Sequence, residues 1–210
     1  MLDIDLILNE LAGARPVFHS EADFQHALAW KIHEHLPDAE IRLEVPMVMR
    51  SKESERRLRV DILVDSTCAI ELKYKTKYAR HPVDEELFVL RSHSAQDFGR
   101  YDFLKDIERL EGVVLEGPCI VGYAIMLTND DSYWRHTKGN QAQDAHFQIS
   151  DRRRIVGDTL QWGDPGREYR GKRNDGITLK RDYTLSWRNY ANRGFKYLVV
   201  EVSRERCCSS

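Results

Sequence analysis

The chain has 210 residues, of which 41% are hydrophobic and 31% are charged, and its formal net charge is -2. This length fits one domain with a long extension better than two domains. No apolar run approaches the ~20 residues of a membrane span, and a net charge near zero is not that of an indiscriminate phosphate-binding polycation. Four cysteines without framework spacing, and acidic first residues where a secretory signal would be basic, predict a reduced, cytoplasmic protein.

The first third of the chain predicts two helices followed by three strands. A short amphipathic helix is expected over residues 2–11, and a second begins at Ser20 with a capping-box-like pattern and ends before Pro37. Alternating residues 41–49 predict a strand that is followed by a charged turn. Two apolar segments, 58–64 and 68–75, then predict a hairpin.

The remaining chain predicts one more helix, one buried strand and a β-rich extension. A polar stretch to Arg91 precedes a helix that is expected to begin at the capping pattern of Ser94 and to end near Gly112. The nearly all-apolar segment 119–127 is typical of a strand covered on both faces. Beyond Thr128 we expect short, broken strands and a final strand over 197–202. The chain 1–210 is therefore predicted to be a single domain, with a core over about 18–130 and an extension over about 131–206 packed on that core.

The predicted hairpin carries charge on one of its faces. A three-residue loop would place Val64 opposite Cys68, so that one face is apolar throughout. The pairs expected on that face are Val60 with Leu72 and Ile62 with Ile70.

On the other face the same register places Asp61 directly across from Glu71. Lys73 lies two residues beyond Glu71 and so projects from the same face. Two carboxylates at this separation repel each other unless a cation lies between them. The hairpin therefore predicts a divalent metal site beside a lysine, and the alternative is a solvated hairpin whose charges form ordinary salt bridges.

Asp61, nine intervening residues and then Glu71-Leu72-Lys73 resemble the bipartite signature of the PD-(D/E)XK nuclease superfamily, although Val60 stands where that signature has proline. The resemblance covers about residues 20–128. It implies an α/β, restriction-endonuclease-like fold, with a mixed central sheet flanked by helices. It also implies a Mg²⁺-dependent nuclease, with Mn²⁺ as a substitute metal, that acts on DNA in preference to RNA.

The resemblance implies a role for each residue of the signature. Asp61 and Glu71 would bind the metal, and Lys73 would orient or deprotonate the attacking water. Members of the superfamily often donate a further glutamate from the first helix. Glu21 suits that role because it lies about 20° from the apolar stripe of its helix, and the alternative is an acid that favours the helix N-terminus.

Four other residues are candidates for supporting the metal ligands or for binding substrate. Gln25 lies one turn after Glu21, and Arg59 would stand opposite Lys73 in the predicted register. Gln96 and Arg100 lie one turn apart on the helix after the hairpin, where relatives place polar or basic residues. For Arg59 the alternative is a surface arginine, and for Gln25 an exposed side chain.

The last third of the chain combines arginines and lysines with tyrosines and tryptophans. Such a surface can follow a phosphate backbone and stack on bases, whereas the alternative for the aromatic residues is the core of a β-rich extension. The alternative function is a non-catalytic nucleic-acid-binding or protein-interaction module that retains the nuclease fold. Many nucleases of this kind are homodimers, but the sequence identifies no interface.

Overall fold

The structure is a computed structural model, which describes residues 2–50, 55–136, 143–164, 171 and 173–204. Within these ranges no helix is both long and apolar enough to cross a membrane. The sequence also predicts turns at 163–166 and 172–176 and contains adjacent cysteines, Cys207 and Cys208, near its last residue. These segments lie partly or wholly outside the described residues.

Two helices open the chain, and each begins at the side chain of a capping residue. Helix α1 spans Ile4–Ala14, and the carboxylate of Asp3 accepts a hydrogen bond from the Leu6 amide. Helix α2 spans Glu21–His35, and Ser20 Oγ accepts from the Asp23 amide at 3.1 Å. Both caps satisfy amide groups that have no partner within the helix. The predicted start of α2 is confirmed.

Three antiparallel strands follow, and a parallel strand joins them after a crossover helix. The antiparallel strands are β1 Ile41–Arg50, β2 Glu55–Val64 and β3 Cys68–Lys75. The crossover helix is α3 Gln96–Glu111, and the parallel strand is β6 Val121–Thr128. A single turn of π-helix, Gly112–Glu116, connects α3 to β6. The predicted order of one helix, three strands, a helix and a strand is confirmed for this part of the chain.

The stretch between β3 and α3 is not a loop, because it contains a separate two-stranded hairpin. Strand β4 spans Ala79–Val83 and pairs with β5, Glu86–Leu90. Asp84 in its turn has φ 51°. The sequence shows only a polar stretch here, because its polar residues and proline obscure the alternation of Phe88 and Leu90, which are buried.

The extension contributes to the central sheet as well as packing on it. Its strands are β7 Arg154–Ile155, β8 Thr159–Leu160, β9 Ile177–Thr178, β10 Tyr183–Thr184, β11 Trp187–Tyr190 and β12 Phe195–Ser203. The sheet order is β1-β2-β3-β6-β12-β11, in which only β3 and β6 are parallel. The central sheet is therefore mixed, with β12 antiparallel to β6 along its whole length.

Two hydrophobic clusters cover the two faces of this sheet. Helices α1 and α2 pack on one face, against residues such as Ile62, Leu72 and Tyr197. Helix α3 and the small strands of the extension pack on the other face, against residues such as Ala124 and Leu198. A sheet buried on both faces explains why β6 is apolar almost throughout.

Glu111 fixes the extension to α3. Its carboxylate is 1% exposed and accepts hydrogen bonds from the amides of Lys180 and Arg181, at 2.7 and 3.0 Å, and from the Tyr183 hydroxyl at 2.8 Å. Burial raises the pKa of Glu111, whereas these donors act in the opposite direction. Three donors on one buried carboxylate hold the strand region 177–184 in a defined place on the core.

Candidate functional site

The hairpin between β2 and β3 has the predicted loop. Its two strands separate at Asp61, one of the charged residues of the predicted site. Val64 pairs with Cys68 and Ile62 pairs with Ile70, and the loop is Asp65-Ser66-Thr67. Asp65 and Ser66 have φ 48° and 57°, the left-handed conformation that so short a connection requires. The ladder of paired residues ends at Ile62 and Ile70.

Asp61 marks the point where β2 separates from β3. Its Oδ2 accepts a hydrogen bond from the Leu72 amide at 2.6 Å, in place of a backbone carbonyl. On the other side of β2, Glu44 of β1 has φ 54°, and the pair of Glu44 with Asp61 is missing from the otherwise continuous ladder between β1 and β2. The expectation that Val60 and Leu72 share one apolar face is wrong, because Val60 packs on the α3 side and Leu72 on the α1–α2 side.

Beyond the hairpin, side chains take over the hydrogen bonds that a neighbouring strand would make to β3. The amides of Leu72, Tyr74 and Thr76 donate to Asp61 Oδ2, Glu21 Oε2 and His93 Nδ1, at 2.6, 2.7 and 2.9 Å. Alternate residues along a strand are about 6.6 Å apart. Asp61, Glu21 and His93 therefore follow one another along the open edge of β3.

Both carboxylates on this edge are oriented by one oxygen and keep the other available. Among the described residues, Asp61 Oδ1 and Glu21 Oε1 accept no hydrogen bond and form no ion pair. Burial raises the pKa of Asp61, against the hydrogen bond from Leu72, and the charge of Glu21 adds to the rise. Asp61 and Glu21 are near enough to repel each other, whereas the sequence predicted this repulsion between Asp61 and Glu71.

Glu71 lies on the α3 side of the sheet and is 2% exposed. Its Oε1 is 2.9 Å from Arg109 Nη2, but the contact is not aligned as a hydrogen bond, so this buried oxygen has no hydrogen-bond donor among the described groups. Burial, followed by the charge of Asp106, raises the pKa of Glu71 to about 9, although Arg109 opposes the rise. The carboxylate is short of positive charge in this environment.

Lys73 also lies on the α3 side, and its ammonium group binds an acid of that helix. Lys73 Nζ is 2.5 Å from Asp106 Oδ2 and donates to the Leu72 carbonyl at 3.1 Å. Burial alone would lower the pKa of Lys73, but the Asp106 carboxylate outweighs it and raises the pKa. Lys73 is therefore a fixed positive charge and not a free base in this arrangement.

Asp106 is a functional candidate that the sequence prediction missed. It is 3% exposed, its Oδ1 accepts from Arg109 Nη1 at 3.0 Å, and its buried Oδ2 has only the unaligned contact with Lys73. Burial raises its pKa. The available signal was an acid on the apolar side of a helix, since Asp106 lies between the core residues Phe103 and Leu110.

Around Glu71 the charges do not balance. Three carboxylates, those of Asp61, Glu71 and Asp106, face two cations, Lys73 and Arg109. The charge of Asp61 raises the pKa of both Glu71 and Asp106, and the charge of Asp106 raises the pKa of Glu71. Fully ionised, this group has one unpaired negative charge. Mg²⁺ prefers to be bound by one or two carboxylates and several waters. Such a divalent cation would compensate the unpaired negative charge.

The predicted metal ligands are not assembled into one complete set. Among the described residues, no group of three or more His, Cys, Asp or Glu side chains is arranged to hold a metal ion. Glu21 and Asp61 lie on the open edge of β3, whereas Glu71 lies on the α3 side beside Arg109. The donor chemistry thus fits a site with two carboxylates and bound water, and does not fit a closed site made of three.

Gln25 contacts the backbone of Asp61, but Arg59 does not stand opposite Lys73. Gln25 Nε2 donates to the carbonyl of Asp61 at 2.7 Å and to Glu44 Oε1 at 3.0 Å, which ties α2 to the distorted part of β2. Arg59 pairs with Pro46 of β1, because β2 has already left β3 at that point. Its guanidinium is exposed and lies 3.6 Å from Glu44, as expected for a surface arginine.

Gln96 and Arg100 are directed away from Glu71. Gln96 Nε2 donates to Asp130 Oδ2 at 3.0 Å, and Arg100 donates to Asp144 Oδ2 at 2.7 Å and to the Ser132 carbonyl at 3.0 Å. The prediction that they support the metal ligands is wrong, because the first turns of α3 contact the chain that follows β6. Both residues hold the extension in place.

Few arginines and lysines of the described extension remain available for phosphates. Arg154 binds Asp182, Arg173 binds Asp102 with two hydrogen bonds, and Arg188 binds Asp5. Five aromatic residues of the same region are in the core, since Tyr133, Trp162, Tyr183, Trp187 and Tyr190 are each at most 8% exposed, whereas Tyr169 lies outside the described residues. The core interpretation is confirmed for these five residues, and base stacking on them is not supported.

A cleft of about 320 Å³ lies at the end of the open edge of β3. It is lined by residues 19–21, 74–76, 89–91 and His93. Glu21 belongs to this cleft and also to the row of carboxylates that begins at Asp61. The cleft is therefore continuous with the candidate site.

No protein-family model, curated protein or solved structure matches this chain significantly. The site is therefore interpreted from its own residues and geometry.

Proposed function

We propose that this protein is a Mg²⁺-dependent phosphodiesterase of restriction-endonuclease-like fold that cleaves nucleic acid, DNA in preference to RNA. The observation that carries the proposal is the open edge of β3, where Asp61 and Glu21 each bind an amide with one carboxylate oxygen and keep the other available. Glu71 and Lys73 are residues of β3 itself, and their side chains project from its α3 side. This combination of acids and a lysine is the one that the PD-(D/E)XK signature describes.

The chain topology supports the resemblance. Helix α2, the antiparallel strands β1, β2 and β3, the crossover helix α3 and the parallel strand β6 follow one another in the order expected for that fold. The signature residues lie where β2 and β3 separate, which leaves side chains in place of backbone hydrogen-bond partners.

Asp61 and Glu71 would hold the metal as its two carboxylate ligands, and Glu21 would contact it through bound water. Bound there, Mg²⁺ would neutralise the non-bridging oxygens of a phosphodiester and provide the attacking water. Gln25 fixes the backbone of Asp61 through its 2.7 Å hydrogen bond. Lys73, kept protonated by Asp106, would contact the scissile phosphate and orient the water, because its raised pKa disfavours a role as the base.

Arg109 acts as the counter-ion of Glu71 in this structure. Its guanidinium lies 2.9 Å from the carboxylate, while its side chain is 31% exposed. A metal that approaches Glu71 from the open side would replace that guanidinium, which can turn into solvent on its flexible stem. Arg109 and the metal therefore compete for one carboxylate.

Nicking of supercoiled plasmid DNA in Mg²⁺, with EDTA as the metal-free reference, tests the proposal. Glu71→Gln keeps the shape of the side chain and should lower the rate by about 10²-fold or more, as loss of a charge-stabilising group does in other enzymes. Asp182→Asn, an exposed acid far along the chain that pairs with Arg154, is the matched control and should cleave normally. Full activity of Glu71→Gln would refute the assignment.

The second candidate is a nucleic-acid-binding or interaction module without catalysis. It is favoured by the ion pairs Glu71–Arg109 and Lys73–Asp106, which together occupy both signature residues on the α3 side. Such a module would bind DNA equally well in EDTA and in Mg²⁺, and would leave the plasmid intact in both.

The cytoplasmic location and the homodimer also stay predictions. Sedimentation of the purified chain tests whether it forms a homodimer.

A further inference from the structure

The cleft beside Glu21 has walls that are fixed by hydrogen bonds on one side. Thr76 Oγ1 donates to the Arg91 carbonyl at 2.6 Å, and the Thr76 amide donates to His93 Nδ1 at 2.9 Å. The His93 amide donates in return to the Thr76 carbonyl at 2.8 Å. The segment that carries Arg91 and His93 is thus bound to the end of β3 before any ligand arrives.

These bonds also determine which proton His93 presents. Its Nδ1 accepts from the Thr76 amide, so the proton of the neutral ring is on Nε2. Burial, with Lys75 close by, lowers the pKa of His93 and keeps the ring neutral. His93 therefore offers one N–H donor on its remaining nitrogen.

Lys75 and Arg91 line the same cleft without a counter-ion. Among residues 2–50, 55–136, 143–164, 171 and 173–204, neither side chain forms an ion pair or a hydrogen bond. The described lysines and arginines elsewhere are mostly paired, as Lys73 is with Asp106. The one acid of the cleft, Glu21, already accepts from the Tyr74 amide. Two unpaired cations and one donor therefore converge on a cavity that holds a single acid.

The spacing along β3 relates this cleft to the candidate site. Lys73 and Lys75 project from the same face of the strand, and two residues of a strand span about 6.6 Å. This distance is close to the separation of successive phosphates along a nucleic-acid backbone. A strand that places one phosphate at Lys73 would bring its neighbour to Lys75.

We propose that the cleft binds the backbone phosphate adjacent to the scissile one, with Lys75 and Arg91 supplying the charge and His93 Nε2 a hydrogen bond. The proposal deepens the proposed function and rests on it for the identity of the ligand as a nucleic-acid strand. A substrate strand then runs along the open edge of β3, from Asp61 towards His93. The cleft fixes the register of the strand and not its sequence, because phosphates carry no base information.

Binding of a fluorescently labelled single-stranded DNA oligonucleotide in EDTA, followed by anisotropy at several salt concentrations, tests the proposal without requiring cleavage. Lys75→Ala and Arg91→Ala should each weaken binding several-fold and lower the slope of log K against log salt by about 0.7, the value for one single-strand phosphate contact. Lys75→Gln and Arg91→Gln, which retain the length and polarity of the side chains, should have the same effect. Arg152→Ala is the matched control, since Arg152 is exposed and lies outside the cleft.

The outcomes separate this proposal from the proposed function. If the Lys75 and Arg91 variants bind like Arg152→Ala while Glu71→Gln still abolishes nicking, the cleft assignment is overturned and the nuclease assignment stands. If the wild type does not cleave but these variants lose affinity and slope, the cleft assignment stands and catalysis is overturned. Wild-type protein that does not bind DNA at all overturns both.

Discussion

Lys73 and Asp106 form a buried ion pair that connects β3 to α3, with 2.5 Å between Nζ and Oδ2. Asp106 also binds Arg109, whose guanidinium lies 2.9 Å from the Glu71 carboxylate. The four side chains therefore alternate in charge across the interface of sheet and helix. In the proposed nuclease Asp106 would be a positioning residue, because it would act on a substrate only through Lys73.

Removing Lys73 alone should destabilise the protein, because Asp106 would keep a buried charge with Arg109 as its only partner. We expect Lys73→Met to lower the free energy of unfolding by about 3 kcal/mol. The double variant Lys73→Met/Asp106→Asn should recover most of this loss, since both charges of the pair are then absent. Urea denaturation measures both.

The control for this cycle is Lys180→Met. Lys180 pairs with Glu116 on the surface, so its loss should cost about 0.5 kcal/mol or less. If Lys73→Met lowers the free energy of unfolding by no more than Lys180→Met does, the Lys73–Asp106 pair contributes nothing to stability. The double variant should stay inactive in the nicking assay, because stability without Lys73 does not restore the contact with phosphate.

The raised pKa of Glu71 makes stability depend on pH in a defined direction. Its pKa is about 9 in the folded protein and 4.5 in the unfolded chain, so the folded state binds more protons between these values. The free energy of unfolding should therefore fall as pH rises from about 5 to 9, by up to ~1.4 kcal/mol per pH unit. Asp61 and Asp106, whose pKa values are also raised, act in the same direction.

Glu71→Gln should flatten this dependence, since it removes one of the buried carboxyl groups whose pKa is raised. Denaturant titrations of the wild type and the variant at pH 5, 7 and 9 measure the difference. Wild-type stability that is constant or increases over this range would contradict the assignment of a largely uncompensated carboxylate at Glu71.

The hairpin and its charged residues could be predicted because they depend on local pattern. A three-residue gap between two apolar segments determines the loop and the pairs Val64–Cys68 and Ile62–Ile70. Period-two alternation also places Glu71 and Lys73 on one face of β3. The start of the helix after Ser20 could likewise be predicted from this capping residue. These features need only neighbours in the sequence. The predicted pairing of Asp61 with Glu71 is wrong, because β2 separates from β3 beyond Ile62.

What could not be predicted depends on contacts between distant segments. Asp106 reaches Lys73 only because α3 packs on β3, and His93 reaches Thr76 only because the β4–β5 hairpin returns the chain to the end of that strand. Helix α3 also begins differently from its capping pattern, at Ala95 with φ 63° and no side-chain cap. The segment before it is held by Thr76 and so determines where the helix starts.

Added Mg²⁺ should stabilise the folded protein if Asp61 and Glu71 hold it. At a hundred times the Kd the gain is about 2.7 kcal/mol, and each kcal/mol raises the Tm of a chain of this size by about 2–4 °C. The shift should be larger at pH 8.5 than at pH 6.5, because the metal must displace the proton that the raised pKa of Glu71 retains.

Differential scanning fluorimetry with millimolar Mg²⁺ or Mn²⁺ measures this shift. Asp61→Asn should abolish it, whereas the surface variant Asp182→Asn should keep it. An equal shift in Asp61→Asn and in the wild type would place any bound metal elsewhere, and the absence of a shift would favour the non-catalytic module.

Two glycines at the two ends of α3 should respond in opposite ways to the same substitution. A Cβ at Gly99 would overlap the hydroxyl of Tyr133, through which the extension packs on the helix, and would lie 3.1 Å from Cζ of that ring. Gly112 has helical φ and ψ of -58° and -50°, and no atom lies within 4 Å of a Cβ placed there. Gly99→Ala should therefore cost about 1–3 kcal/mol, while Gly112→Ala should add about 0.4–1 kcal/mol.

Guanidinium denaturation of both variants measures these changes, and Tyr133→Phe identifies their cause. In the Tyr133→Phe background the overlapping hydroxyl is absent, so Gly99→Ala should cost clearly less than in the wild type. If the cost is the same in both backgrounds, Tyr133 does not rest on Gly99, and the extension must be held on α3 mainly by Glu111 and Arg100.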